Sequence, residues 1–349
     1  MNTYLIYIAH GIGDFVIAVP LIRNIKEQDP TAVIDIFTCS DKHRIGLNKI
    51  MAQLQGDIRH CFYYTKVEPF HSLRFLMQAG YKSYDYGIVL EHFNSKYMSA
   101  WPSKIIKFCC KTTIGAHNPY NSAIYDRTIE RSDRYYIYDL ENDILEQLGL
   151  SRTIQGREFY ALDVSPLSNR IIENHPSIVF CIGSGHVANE KLHDPYALSL
   201  KSWPTKNWVY LGNELIRMGY QVILIGGAME AGMIKPYLTE LDRGIISFIG
   251  KHSIKESFQV VREADLVVGV DTGLIHAASL QGTPTLTLFG CTDPVIVRPF
   301  GPYSHIIYNP VECSPCLGMD QSYTCTDNRC MQGITVDTVL QNIRQIVTP

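Results

Sequence analysis

Short uninterrupted apolar runs recur along this chain, and between them apolar residues return at the three- and four-residue spacing of a helix. In the first half, the runs at 4–9, 33–38 and 86–90 predict buried parallel strands. Residues 14–28 between the first two read as an amphipathic helix that Pro30 ends, so the chain opens as a β-α-β unit. Residues 91–158 are polar and aromatic-rich, and no periodicity assigns them. A second βα series follows, with strands at 177–182, 221–226, 245–249, 266–270 and 285–289. Helices are expected at 208–218, 228–240, 253–263, 274–280 and 335–347. Ser253 and Glu256 have the spacing of a capping box at the start of 253–263.

These elements predict an α/β protein of two domains. The Pro-, Ser- and Asn-containing stretch 162–176 serves as linker. The expected division is an N-terminal domain at 1–165, a second at 177–334, and a terminal helical segment at 335–349. No fixed-period repeat or low-complexity tract interrupts it. In such sheets ligands sit outside the carboxyl ends of the strands, and the polar motifs fall there.

Composition narrows the partners. A formal net charge of −3 over 349 residues gives no nucleic-acid signature. No apolar run approaches the roughly 18–20 residues of a membrane span, and the N-terminus runs straight into a motif without a charged leader. We expect a cytoplasmic protein. Residues 95–111 mix Lys96, Lys104, Lys107 and Lys111 with Tyr97, Trp101 and Phe108. They read more readily as a partly buried helix with solvated lysines than as a surface for anionic lipid.

The stretch 264–290 carries the strongest chemistry. A strand runs into Asp271-Thr272-Gly273, a short helix bears His276, and a second strand follows. Backbone N–H groups at such a helix start bind anions, most often phosphate. By residue type alone, Asp271 and Thr272 are also good helix caps and His276 an ordinary packed histidine. Gly183-Ser184-Gly185 after a strand is a turn or a phosphate loop. Lys201 is a surface lysine or a neutraliser of diphosphate. Glu230, opening a helix after Gly226-Gly227, favours the helix dipole or takes a ribose hydroxyl pair. In the first half His10-Gly11-Ile12-Gly13-Asp14 precedes a helix. Asp14 is there a capping carboxylate or a general base, ionised at neutral pH.

Ten cysteines are many for a cytosolic chain. Four of them, Cys313, Cys316, Cys325 and Cys330, have the spacing C-x2-C-x8-C-x4-C. Thiolates so spaced bind a structural zinc or iron ion, and free thiols or disulfides are the alternative. The sequence has no Walker A loop, no Asp-x-Asp, no G-x-S-x-G and no H-E-x-x-H.

Taken together, the motifs resemble glycosyltransferase family 9, the lipopolysaccharide heptosyltransferases. The resemblance rests on Gly13-Asp14 with Pro20, Lys201-x-Trp203-Pro204, Gly226-Gly227-x-x-Glu230 and Asp271-Thr272-Gly273-x-x-His276. It extends through Gly282-Thr283-Pro284, Leu288-Phe289-Gly290-x-Thr292-Asp293-Pro294, Pro299-Phe300-Gly301 and the late cysteines. It implies a GT-B fold, two Rossmann-like domains facing across a cleft, with the last helix crossing back toward the first domain. It implies inverting, metal-independent transfer of heptose from ADP-heptose to a hydroxyl of a cell-envelope glycan. Asp14 then matches the base, with His10, Gly11 and Gly13 beside it. Lys201 matches the diphosphate lysine and Glu230 the ribose ligand. Asp271, Thr272, Gly273 and His276 match the diphosphate and sugar loop, with Gly183 and Ser184 as further donor contacts. The acceptor is a glycan or glycolipid, with peripheral membrane contact as a corollary. Some similar proteins modify protein serines, and the cysteine cluster suits that branch. Two departures stand out. His10 and Gly11 occupy positions of small hydroxyl residues, and a polar insertion fills 186–200. A non-catalytic nucleotide-sugar-binding protein and a nicotinamide-dependent oxidoreductase are the competing classes. The absence of G-x-G-x-x-G after the first strand counts against the latter.

Overall fold

A computed structural model gives the structure of the chain. It describes residues 1–8, 11–38, 57–63, 79–90, 100–117, 124–130, 135–152, 172, 176–183, 200–228, 230–317 and 325–348. The chain divides into two units, Met1–Asp163 and Val164–Pro349.

The first unit is built on a parallel sheet of β1 (Thr3–Ile8), β2 (Val33–Thr38), β3 (His60–Tyr63), β4 (Tyr84–Leu90), β5 (Cys110–Ala116) and β6 (Arg127–Ile129), in the order β3-β2-β1-β4-β5-β6. The second unit has β7 (Ser177–Cys181), β8 (Gln221–Ile225), β9 (Ile246–Ser247), β10 (Leu266–Val270), β11 (Thr285–Phe289) and β12 (Ser304–Tyr308), again all parallel. Its order is β12-β11-β10-β7-β8-β9. Counted from its own first strand, this is the arrangement of the first unit. Both are doubly wound sheets whose strand order reverses next to the first strand, between β1 and β4 and between β7 and β10.

The helices explain where periodicity misled. Helix α1 (Ile12–Gln28) is not amphipathic in its first half: every residue from Phe15 to Ile22 is buried, and the charges gather at Asp14 and in the last turns. A helix apolar all round belongs inside a layer rather than on a surface. Pro20 sits within it, and the Asn24 side chain donates to the Pro20 carbonyl at 2.9 Å. The unassigned stretch yields α2 (Ala100–Cys109) and α3 (Ile137–Gln147), together with β5 and β6. In α2, Ile105, Ile106 and Cys109 are buried, Lys107 pairs with Asp126, and Lys111 just beyond it pairs with Asp85 at 2.8 Å.

In the second unit α4 (Thr205–Arg217) covers the sheet, with Trp203 and Trp208 in edge-to-face contact at 4.8 Å in the core. The expected long helix at 228–240 is only α5 (Glu230–Ile234) followed by a 3-10 turn at Lys235–Tyr237. Pro236 removes the amide that a continuing helix needs. Helix α6 (Ile254–Glu263) carries the capping box as read: Ser253 Oγ accepts from Glu256 N, and the Glu256 carboxylate accepts from Ser253 N at 2.7 Å. Helices α7 (Gly273–Leu280), α8 (Pro294–Val297), α9 (Arg329–Gln332) and α10 (Val336–Ile346) complete the unit. The terminal helix belongs to this unit's core, where Val339 and Ile343 are fully buried, and Tyr220 Oη donates to the Val347 carbonyl at 2.9 Å.

One device recurs at the starting ends of the strands. Thr3 N and Oγ1 both donate to Asp85 Oδ2, at 3.0 and 2.8 Å, while Asp85 N donates back to Thr3 Oγ1 at 2.9 Å. This ties β1 to β4. Ser177 and Asp265 make the same reciprocal set between β7 and β10, at 2.8, 2.9 and 3.2 Å. Thr113 and Asp126 make it between β5 and β6. Each clamp satisfies polar groups where the ladder begins and fixes register beside a strand of the switch point in two of the three cases.

Asp85 is held down at about 2, first by the Lys111 hydrogen bond and then by Thr3. A carboxyl depressed in the folded state contributes stability above its ordinary value of 3.8 and loses it as pH falls through the folded value. Asp85→Asn is therefore less stable than the parent at neutral pH. Urea midpoints measured down the pH scale should show that gap closing between about 4 and 2.

Candidate functional site

The carboxyl ends of β7, β8 and β10 deliver Gly183, Gly226 and Asp271 to one end of the second sheet. Asp271 is 6% exposed. Its Oδ2 receives the Lys201 ammonium at 2.7 Å, and its Oδ1 lies 3.5 Å from His276 Nε2. The sequence places these three residues on separate segments, and the fold makes them one group. Burial pushes the Asp271 carboxyl up, but the Lys201 charge and the His276 hydrogen bond and charge outweigh it and hold the group well below the ordinary carboxylate range.

Behind Asp271, α7 begins without a side-chain cap. Thr272 is its N-cap residue in extended conformation, yet its hydroxyl takes none of the first-turn amides. The contrast within the same unit is direct: Ser253 caps α6 and Asp293 caps α8 through Val295 N at 2.9 Å. An uncapped start at a switch point presents amide donors to an anion. Thr272 had the residue type of a cap and does not act as one.

Glu230, 7% exposed, opens α5 and lies in a cradle of glycines. A Cβ on Gly183 would stand 2.2 Å from Glu230 Oε1. One on Gly226 would meet Glu230 Cβ at 3.0 Å, and one on Gly227 would meet Oε2 at 3.1 Å. These glycines are required by the close approach of that side chain. Ser184 and the insertion at 186–200, save Leu200, lie outside the described residues.

In the first unit Gly11 and Gly13 follow β1 at its own switch point, and His10 lies outside the described residues. Helix α1 begins at Ile12, so Asp14 sits in its first turn rather than at its start. Asp14 Oδ2 accepts from Gly11 N at 2.9 Å, which is a capping contact and orients the carboxylate.

The late cysteines lie beside the Lys201 pair. Cys316 N and Leu317 N both donate to the Cys291 carbonyl at 2.9 Å, and Cys291 and Cys316 pack with Leu200. The Cys316 thiol is pushed up to about 11 by burial and then by Cys313, Cys330 and Cys325, so the four predicted residues feel one another. Among the described residues, no group of three or more His, Cys, Asp or Glu side chains is arranged to hold a metal ion. Sequence reasoning missed the polar partners that hold the Lys201 segment, Asn328 and the carbonyl of Ile334. They lie 126 and 131 residues from their partners, and no local pattern marks them.

Residues 74–326 match the family model described as glycosyltransferase family 9 (heptosyltransferase). The chain belongs to glycosyltransferase family 9. Among curated relatives of this family 9 chain, lipopolysaccharide heptosyltransferase 1 of Pseudomonas aeruginosa is 25% identical over 262 residues, 70% of this chain and 66% of that protein. Lipopolysaccharide heptosyltransferase 2 of Escherichia coli is 26% identical over 193 residues, 54% of this chain and 49% of that protein. The chain thus spans just under two thirds, and about half, of the lengths of these relatives. The structure of E. coli heptosyltransferase WaaC with ADP has a TM-score of 0.70 at 17% identity, covering 99% of this chain and 100% of that one. At that identity the likeness is one of fold, and the family 9 chain has the GT-B fold.

The glycine cradle yields a test. Gly183→Ala forces the Glu230 carboxylate aside, because the new Cβ would meet its Oε1 at 2.2 Å. A crystal structure of the variant should show Glu230 turned away from residue 183. For a unit of this size a cost of about 1 kcal/mol should lower the melting midpoint by roughly 2–4 °C, as what moves is a side chain and not backbone.

Proposed function

We propose that this chain is an inverting glycosyltransferase that moves heptose from ADP-heptose to a hydroxyl of a cell-envelope glycan, the lipopolysaccharide core. What carries the reading is the second unit's cluster: the buried Lys201–Asp271–His276 group beside an uncapped helix start, with Glu230 in its glycine cradle. The family's curated members named above are lipopolysaccharide heptosyltransferases. In this reading the Gly273 helix start and Lys201 take the diphosphate, Glu230 takes the ribose hydroxyls, and Thr272 and His276 line the sugar side, with Gly183 and Ser184 as further donor contacts.

The chemistry asks for one base and a stabilised leaving group. The acceptor hydroxyl oxygen attacks the anomeric carbon from the face opposite the phosphate. The carbon–oxygen bond to the diphosphate breaks, and its electron pair leaves with ADP. Asp14 accepts the hydroxyl proton. Its Oδ2 is already held by Gly11 N, which fixes the carboxylate and leaves Oδ1 to act. The lysine and helix amides answer the charge developing on the leaving oxygen. On this route the chain's own groups supply the stabilisation, so no catalytic metal is required.

An acceptor anchored in lipid implies a cytoplasmic enzyme working at the inner membrane. A protein serine is the alternative acceptor, and a binding protein without turnover is the alternative class. We also assign Cys313, Cys316, Cys325 and Cys330 to a structural zinc or iron site. Their C-x2-C-x8-C-x4-C spacing supports it, and metal would draw the thiols into ligand geometry.

Two measurements test the reading. In a thermal-shift panel of ADP-, GDP-, UDP- and CMP-sugars, ADP-heptose should give the largest shift. A larger shift with UDP-sugars reassigns the donor. Asp14→Asn should keep donor binding and lose transfer by roughly 10²–10⁴-fold. Near-parental transfer by that variant refutes the base. For the cysteines, elemental analysis of fresh protein should find one zinc or iron per chain, and substoichiometric amounts of both sink the site.

A further inference from the structure

Lys201 stands on a short segment that is neither helix nor strand before α4 begins at Thr205. Its ammonium is fixed by Asp271, so what fixes its backbone decides where the charge can reach. Among the described residues, three contacts from the stretch that follows β11 contribute to fixing it. Leu200 packs with Cys291 and Cys316. The Ser202 carbonyl accepts from Asn328 Nδ2 at 2.9 Å in a buried position. The Trp203 indole N–H donates to the Ile334 carbonyl at 2.9 Å, also buried.

Asn328 is built for this contact. It is 5% exposed and stands at φ 31°, a left-handed conformation that asparagine tolerates better than most residues. It is the N-cap residue of α9, and its carbonyl accepts from Met331 N at 2.8 Å and Gln332 N at 3.2 Å. Gln332 Nε2 lies 3.4 Å from Asn328 Oδ1, which turns the amide so that Nδ2 faces Ser202. Backbone and side chain are thus both committed, and the donor is held at the residue next to Lys201.

We propose that Asn328 is a positioning residue for Lys201: its amide grips the Ser202 carbonyl and so sets the backbone from which the lysine reaches the donor site. The proposal rests on the reading of Lys201 as the diphosphate ligand. Without the amide, the buried Ser202 carbonyl loses this 2.9 Å hydrogen bond, and the segment shifts to compensate. A shift of that kind at a ligand-binding cation is costly because charge contacts depend on close geometry.

The test uses the full chain with ADP and AMP as probes in titration calorimetry. Asn328→Gly keeps access to the left-handed backbone and removes the donor. Asn328→Asp keeps the shape and sets an acceptor against a carbonyl. Both should weaken ADP by roughly five- to tenfold and leave AMP, which lacks the second phosphate, within about twofold. In a Lys201→Ala background Asn328→Gly should add nothing, because the effect runs through the lysine. Equal losses for ADP and AMP, additive losses in the double variant, or unchanged ADP affinity in both Asn328 variants each overturn the proposal. A crystal structure of Asn328→Gly supplies a readout independent of ligand. The Lys201–Asp271 pair displaced from its 2.7 Å contact supports positioning, and an unmoved pair refutes it. If Lys201→Ala alone leaves ADP affinity unchanged, the donor-site reading falls, while that structure still decides whether Asn328 places the lysine.

Discussion

A carboxylate that is almost wholly buried has to be matched where it stands, and Asp271 is the residue around which the second unit's site is arranged. Burying an ionised acid is costly, and removing one partner from a buried pair leaves the other charge stranded. Lys201 and His276 supply the match from two directions. That requirement fixes the lysine at the mouth of a parallel sheet, beside a helix start with no side chain on its first amides. Positive charge and free donors therefore converge because one acid must be answered there. The same arrangement explains why Glu230 sits close by: the glycines that let it approach are the ends of neighbouring strands.

The two sheets share a strand order, and each puts its polar loops at the reversal beside its first strand. Gly11 stands in the first unit much as Gly183 does in the second, in the loop after the first strand, with Asp14 in the first turn of the helix that follows. A hydroxyl–aspartate clamp at the opposite end of those strands is also common to both units, with threonine in one and serine in the other. Fixing register at one end of a strand determines which residue emerges at the other. The loops are placed by these clamps as much as by their own glycines.

Much of this was legible because parallel strands are buried on both faces and read as unbroken apolar runs. Those at 33–38, 266–270 and 285–289 coincide with β2, β10 and β11. β12 lies at a sheet edge, and its apolar run, Ile306-Ile307-Tyr308, is only three residues long behind polar Ser304 and His305, too short to mark a strand. Helix α1 is legible in extent but not in setting: its charged residues suggest a polar face, while the run from Phe15 to Ile22 is buried on every side. At the candidate site, Asp271 was legible at a strand end, His276 in the short helix after it and Lys201 beyond the polar insertion, and the structure joins the three side chains. Thr272 is a capping residue type that leaves its helix uncapped, whereas Ser253 has Glu256 at the capping-box spacing and caps, a difference that the third helical residue, Ile275 against Glu256, already marks. Sequence could not show Asn328 against Ser202, because a side chain gripping a distant carbonyl leaves no periodicity behind.

The Trp203–Ile334 hydrogen bond has a consequence in time. Chains are made from the N-terminus, and the partners of Ser202 and Trp203 lie 126 and 131 residues downstream. The lysine's segment is therefore synthesised long before the groups that hold it exist. While β8, β10 and β11 are emerging, that segment lacks its anchors, and a tryptophan destined for the core has no acceptor for its indole N–H. The contacts that hold the lysine's segment therefore cannot be complete until the chain has been made through Ile334, although that lysine precedes almost all of the sheet in sequence.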